Sequence, residues 1–219
     1  MRVKLLSPQT TAIPPKAPTF WTDDGKGDTL NAMKTIKPRD IFNLLPPAPV
    51  RARVVKLPMP QAPFGLGMHQ IEILCVIAMG QYLKATRFFE FGTGNGATTA
   101  ALALNFPAAK IVTIDIADQP GAHENTRFDN VARLLMDSKE YRPPEGTGRS
   151  YDLILVDGGH EPQPFIDDTA LAAQMVRPGG AIFWHDCGNP QFPHIEEFLE
   201  SYATRIEGTM LAFRAPAPI

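Results

Sequence analysis

From residue 68 onward, apolar and polar positions fall into two alternating periods. Met68 to Leu83 is apolar on most sides (Ile71, Ile73, Leu74, Val76, Ile77, Met79, Leu83) and predicts a buried helix. Arg87 to Phe91 reads as a strand, and Thr98 to Asn105 as a helix of good formers. Lys110 to Ile116 is β-branched and apolar, the pattern of a buried strand. Val131 to Met136 is a weaker strand and Tyr151 to Val156 a strong one. Phe165 to Val176 predicts a helix stopped by Pro178-Gly179-Gly180, followed by a strand at Ala181 to Trp184. Ile195 to Ala203 is an amphipathic helix, and Arg205-Ile206 with Met210 to Phe213 a closing hairpin. Strands alternating with helices imply right-handed crossovers and a doubly wound α/β fold. The expected sheet is seven-stranded and mostly parallel, with helices on both faces.

The first 66 residues behave differently. They hold ten Lys or Arg against four Asp, while the rest of the chain is acidic, for a net charge of −2. Eleven of the 22 prolines also lie there. Pro14-Pro15, Pro46-Pro47-Ala48-Pro49 and Pro58-Met59-Pro60 cannot sit inside helices. Residues 1–66 are therefore expected to form a Pro-rich basic N-terminal arm or lid, and 67–219 the folded domain. The arm would carry at most short helices, for example around Arg39 to Leu45. It either wraps its own acidic body or a sister subunit, giving a homo-oligomer, or serves as a lid or docking surface for an anionic substrate.

Composition narrows the class further. Hydrophobic residues at 44% and charged ones at 20% exclude bulk disorder. The longest apolar run is far short of the roughly 20 residues that a membrane span needs. The N-terminus lacks the apolar core of a secretory signal. Two distant cysteines, Cys75 and Cys187, exclude a disulfide scaffold and indicate a reducing, cytoplasmic location. Only the arm is basic, and aromatic residues are sparse there, so a nucleic-acid partner ranks low.

In parallel sheets ligands bind beyond the carboxyl ends of the strands. The first strand ends in Glu90-Phe91-Gly92-Thr93-Gly94-Asn95-Gly96-Ala97, a glycine loop that opens directly into a helix. Such a loop lets a ligand approach backbone amides closely. Two cofactors fit it. Gly92-x-Gly94-x-x-Ala97 matches a dinucleotide fingerprint, while an acid two residues before the first of three alternating glycines resembles the first motif of class I S-adenosylmethionine-dependent methyltransferases. Asp115, about twenty residues on, could accept ribose hydroxyls from either.

The later strand tips separate them. Asp152-Leu-Ile-Leu-Val-Asp157-Gly-Gly-His160 and Arg177-Pro-Gly-Gly180 join Glu90-Phe-Gly92-Thr-Gly94-Asn-Gly96, Thr113-Ile-Asp115 and Met136-Asp137-Ser138. Taken together, residues 68–214 resemble the Rossmann-like class I S-adenosylmethionine-dependent methyltransferases. The nearest group is the methyltransferase-24 one, with catechol-type and sugar O-methyltransferases. That resemblance implies that the loop backbone, Phe91, Gly92, Thr93, Gly94 and Gly96, cradles the methionine end of S-adenosyl-L-methionine. Glu90 would hold its ammonium, Asp115 and Ile116 would flank the ribose, and Asp137 and Ser138 would lie beside adenine. Asp157 would face the sulfonium. In metal-dependent members the corresponding ligands would be Asp157, His185 and Asp186. An imidazole there favours Zn, Mn or Fe over Mg.

The expected reaction is O-methylation of a small hydroxylated substrate, a sugar or a natural-product intermediate. His160 would act as general base with Asp157 beside it. Asp157, His185 and Asp186 form either a metal site or a hydrogen-bonding cradle for the substrate. An NAD-dependent oxidoreductase and a non-catalytic methyltransferase-like partner subunit stand as alternatives. His69, His123 and His194 show no partner pattern. Pro120-Gly121 predicts a short, irregular connection over residues 117–130.

Overall fold

Period-two runs of large apolar residues build the centre of this computed structural model, which describes residues 33–45, 67–144 and 148–215. The central strands are β2 (Arg87–Phe91), β3 (Lys110–Asp115), β4 (Val131–Leu135), β5 (Tyr151–Val156) and β6 (Val176–Trp184). They are mutually parallel where they pair. Successive side chains point to opposite faces. Phe88, Leu153, Leu155, Ala181 and Phe183 therefore enter one core, and Phe89, Phe91, Ile154, Val156, Ile182 and Trp184 the other. All six residues of β5 are buried, as expected for a strand covered on both sides.

Helices cover both faces. α2 (Gln70–Tyr82) has apolar residues nearly all round and sinks into the first core. α3 (Ala97–Asn105) covers the same side. α5 (Pro162–Met175) and α6 (Pro193–Leu199) lie over the second. Between β3 and β4 there is only α4 (Ala122–Asn125), four residues long, as Pro120-Gly121 predicts.

The sheet has eight strands rather than seven, in the order β1-β7-β8-β6-β5-β2-β3-β4. The addition is β1 (Lys34–Ile36), which pairs in parallel with β7 (Thr204–Ile206). Its three residues carry no apolar period and run straight towards Pro38, so no pattern announces them. α1 (Pro38–Phe42) follows, in the place expected for a short helix, and anchors Ile41 in the core against α2. β8 (Ala212–Arg214) runs antiparallel to β6 and β7, forming the expected hairpin. The rest of residues 1–66 lies outside the described part of the chain.

One punctuation signal has a different outcome from the one expected. The helix ends at Met175, and Pro178-Gly179-Gly180 lies within β6. The register jumps there: Tyr151 opposes Val176, but Leu153 opposes Ala181. The extra residues bulge out, which is where a strand tolerates proline. Arg177 is ion-paired to Asp152 at the bulge, and Asp152 also accepts the Thr86 and Arg87 amides at 2.7 and 2.9 Å. Asp152 thus ties the starts of β2, β5 and β6 together. Among the described residues no helix is long and apolar enough to cross a membrane.

Candidate active site

Chain connections leave β2 and β5 towards opposite edges of the sheet, so a crevice opens where their carboxyl ends meet. The two tips touch. The Asp157 amide donates to the Phe91 carbonyl at 2.9 Å, while the Phe91 ring packs into the core. Gly92 has φ +87°, and a Cβ there would lie 2.0 Å from the Asp157 carbonyl oxygen. Only glycine permits that approach. Gly94 differs: nothing lies within 4 Å of the place a Cβ would take, so its backbone fronts open space. Gly96 is the N-cap of α3.

Glu90 lies beneath this loop and is 1% exposed. Its carboxyl accepts the Thr99 hydroxyl and, at 2.6 Å, that of Thr113, which pairs with buried Thr93 at 2.8 Å. Burial pushes the Glu90 pKa up to about 8 against the two threonine bonds. It braces the loop from below as a neutral acid.

Asp115 stands beside the loop, accepting the Gly94 amide at 2.8 Å and the Ala117 amide at 3.0 Å. Next to it Ile116 is 73% exposed, an apolar surface at a polar tip. Asp137 caps the turn Ser138–Glu140 through the Lys139 amide at 2.9 Å. Ser138 hydrogen-bonds Asp168, whose carboxyl burial raises to about 6. Both border a cavity of about 640 Å³ with Tyr141, Arg142, Leu171 and Gln174. An exposed apolar side chain, an open glycine backbone and a carboxylate on one rim fit the ribose and methionine ends of an adenosyl cofactor.

The tips of β5 and β6 form a charged cluster. His160 Nε2 is 2.8 Å from Asp186 Oδ2, and its ring stacks on Phe192 at 4.6 Å. The loop after Cys187 therefore holds His160 in place, and His194 Nε2 reaches the His160 carbonyl at 2.9 Å. The Asp186 bond raises the His160 pKa despite partial burial. His185 Nδ1 lies 3.0 Å from Asp157 Oδ1 and 3.3 Å from Asp186 Oδ2. Its Nε2 lies 3.3 Å from Glu72 Oε2. Burial opposes a charge on His185, but hydrogen bonds to Asp157, Asp186 and Glu72 prevail and push its pKa up to about 12. Asp157 is raised by burial, against its His185 contact. Burial also acts to raise Asp186, yet its bonds to His160, His185 and Asn189 hold it well below the usual range.

Sequence reasoning assembles Asp157, His185 and Asp186 as metal ligands. The structure brings His185 Nδ1 to 3.0 Å from Asp157 and 3.3 Å from Asp186, and ligand atoms of Asp157, His160 and Asp186 lie within 4.8 Å of one another. The other ring nitrogen of His185 faces Glu72, a buried carboxylate that orients the ring. Glu72 escaped the sequence reading; its signal is that it is the one charged residue in an otherwise apolar helix. Phe192 and Asp168 had no comparable signal.

The comparisons with known proteins agree with this architecture. Residues 89–187 match the family model Methyltransf_24, a methyltransferase domain. The chain is 37% identical over 78 residues to a ribosomal protein L11 methyltransferase from Clostridium perfringens. That match covers 34% of this chain and 25% of the relative's length. The O-methyltransferase TomG from Streptomyces achromogenes, involved in tomaymycin synthesis and solved with S-adenosylmethionine, superposes with TM-score 0.52 at 18% identity. The alignment covers 69% of this chain and 82% of that one. An O-methyltransferase from Bacillus cereus, solved with S-adenosylhomocysteine, gives TM-score 0.52 at 16% identity, covering 68% and 82%. The fold is that of class I methyltransferases, as the motifs at the strand tips imply.

Proposed function

We propose that this chain, whose residues 89–187 match a methyltransferase domain, is an S-adenosylmethionine-dependent O-methyltransferase acting on a small hydroxylated substrate. The observation that carries this reading is the juxtaposition, at one crevice, of the glycine loop with the His160–Asp186 pair. That TomG and the Bacillus cereus protein are O-methyltransferases supports oxygen as the acceptor atom.

When bound, the cofactor supplies a methyl group already activated on sulfonium. The chain's own residues supply orientation and proton transfer. The open backbone at Gly94 and the carboxylate of Asp115 would bind and align the cofactor. Asp157, at the tip between loop and cluster, would place its carboxylate beside the positive centre. In neutral His160, Nε2–H donates to Asp186, which leaves the Nδ1 lone pair to take the acceptor hydroxyl's proton. Asp186 then stabilises the imidazolium that forms. Ring stacking on Phe192 fixes the imidazole plane during the transfer.

Calorimetry with S-adenosylmethionine and with NADH tests this directly. Uptake of the former is expected, weakened at least tenfold in Asp115→Ala, a loss of about 1.4 kcal/mol. Binding of NADH alone by the folded protein would reverse the assignment in favour of an oxidoreductase.

A further inference from the structure

Helix α5 turns Phe165, Asp168 and Ala172 inward, at the spacing of one helix face. Phe165 and Ala172 fill the second core, but Asp168 brings a carboxyl there and is 4% exposed. The adjacent Asp167 lies at the surface, 3.7 Å from Lys139 Nζ, and accepts Gln163 Nε2 at 2.8 Å. Among the described residues no Lys, Arg or His is ion-paired with Asp168, and its hydrogen bond comes from the Ser138 hydroxyl. A carboxyl has further acceptor sites to fill. Asp168 also reaches the crevice. Its Oδ2 is 3.0 Å from the point where a Gly158 Cβ would stand, and that same point is 3.6 Å from the Gly92 nitrogen. Glycine at 158 therefore leaves no side chain between this carboxyl and the meeting of the β2 and β5 tips. Ser138 arrives from the other side: the Met136 amide donates to the Asp115 carbonyl at 2.9 Å, and Ser138 follows two residues later. Ser138 and Asp168 both border the cavity of about 640 Å³.

We propose that Asp168 determines cofactor specificity by accepting the exocyclic amine of the adenine base. The inference rests on the methyltransferase reading of the crevice and adds the residue that reads the base. A ribose held at Asp115 leaves its base one short step from Ser138, with the exposed Ile116 side chain beside the ring face. Adenine presents two N–H groups at its far edge and brings no charge into a buried site. A buried acceptor left unmatched is costly, so a carboxyl with acceptor sites to fill gains from such a donor. Hypoxanthine presents a carbonyl oxygen at the same edge and would set one acceptor against another. Sites built around a polar contact reject analogues that lack the matching group for this reason. The Ser138 hydroxyl has the supporting part: it orients the carboxyl and leaves an oxygen for the ligand. The two neighbouring acids of α5 thus differ in kind, Asp167 serving the surface and Asp168 the crevice.

Calorimetry on the full-length protein with S-adenosylhomocysteine and S-inosylhomocysteine tests the assignment. The two ligands differ only at the edge of the base, where a carbonyl and a ring N–H replace the amine and a ring nitrogen. Wild type should bind the adenosyl ligand roughly tenfold to a hundredfold more tightly. Asp168→Asn keeps the size of the side chain but can donate to a carbonyl, and should bring the two affinities within about threefold of each other. Asp167→Asn should keep the wild-type ratio. A purely structural role for Asp168 would weaken both ligands alike and leave the ratio unmoved. Equal affinities in the wild type overturn the proposal, as does a wild-type ratio in Asp168→Asn or a collapsed ratio in Asp167→Asn. Should Asp168→Asn fail to fold, the wild-type ratio decides. Uptake of S-adenosylhomocysteine without preference defeats the role of Asp168 alone, whereas no uptake of either ligand by the folded protein defeats the methyltransferase reading with it.

Discussion

The glycine loop contains two positions that the same substitution, glycine to alanine, should separate. At Gly92 an added Cβ would lie 2.0 Å from the Asp157 carbonyl oxygen, 2.5 Å from its carbon and 2.9 Å from Gly158 Cα. All three are backbone atoms of β5's exit, so no flexible side chain can yield. The residue also sits at φ +87°. The left-handed conformation costs an alanine about 1–2 kcal/mol. Overpacking a close contact adds about 1–3 kcal/mol. Reduced freedom of the unfolded chain offsets roughly 0.4–1 kcal/mol of that. Gly92→Ala should therefore lose about 2–4 kcal/mol. Gly94, at φ +51° with open space around it, carries the conformational cost alone. Its alanine should lose about 1 kcal/mol or less.

In a chain of this length each kcal/mol moves the melting midpoint by about 2–4 °C. Thermal unfolding should place Gly92→Ala roughly 4–16 °C below wild type and Gly94→Ala within about 4 °C of it. Cofactor titration of the same proteins gives the complementary reading. Gly94→Ala should stay folded yet bind S-adenosylmethionine less well, because its methyl enters the space the ligand needs. Equal destabilisation by the two alanines would refute the claim that contact between the β2 and β5 tips, rather than loop flexibility, demands glycine at 92.

Two further outcomes follow from the buried carboxyls and the histidine pair. Glu90 is pushed from an ordinary 4.5 to about 8, so the fold keeps its proton while the unfolded chain has released it. Stability should then fall by about 1.4 kcal/mol per pH unit across the interval between those values. Urea unfolding of Glu90→Gln should show this slope removed, and an unaltered slope would contradict a neutral Glu90. Asp186 raises the His160 pKa, so activity requiring neutral His160 should rise with pH through a value above 6.5. Asp186→Asn should move that rise to lower pH while lowering the rate, as read from pH–rate profiles; an unmoved profile would remove His160 from the proton transfer.

The strands and most helices were legible because burial imposes period. β2 and β5 match their expected spans residue for residue, since Arg87–Phe91 and Tyr151–Val156 are β-formers covered on both faces. β1 was not legible, because Lys34-Thr35-Ile36 gains its partner from β7, about 170 residues later, and carries little apolar area of its own. Pro178-Gly179-Gly180 was misread for a related reason. Locally it is a helix stop, and only the offset pairing of β5 with β6 turns it into a bulge.

The site was legible in its parts but not in its charges. Motif spacing places Gly92, Asp115, Asp157, His160 and Asp186 around one crevice, and the fold brings the strand tips together as expected. Spacing says nothing about protonation, which depends on groups that pack against a residue from outside its own strand. Set beside Asp157 and Asp186 alone, His185 shows only one side of its ring. Its other nitrogen is governed by Glu72, 113 residues away in sequence. The visible sign was a single acid inside Gln70–Tyr82, otherwise uncharged. A buried charge in an apolar helix requires a partner of opposite sign, since leaving it unpaired costs several kcal/mol. A buried carboxyl either keeps its proton, as Glu90 does among threonines, or meets a partner that can carry the opposite charge, as Glu72 does. Here His185 meets that requirement for Glu72 while also balancing the crevice.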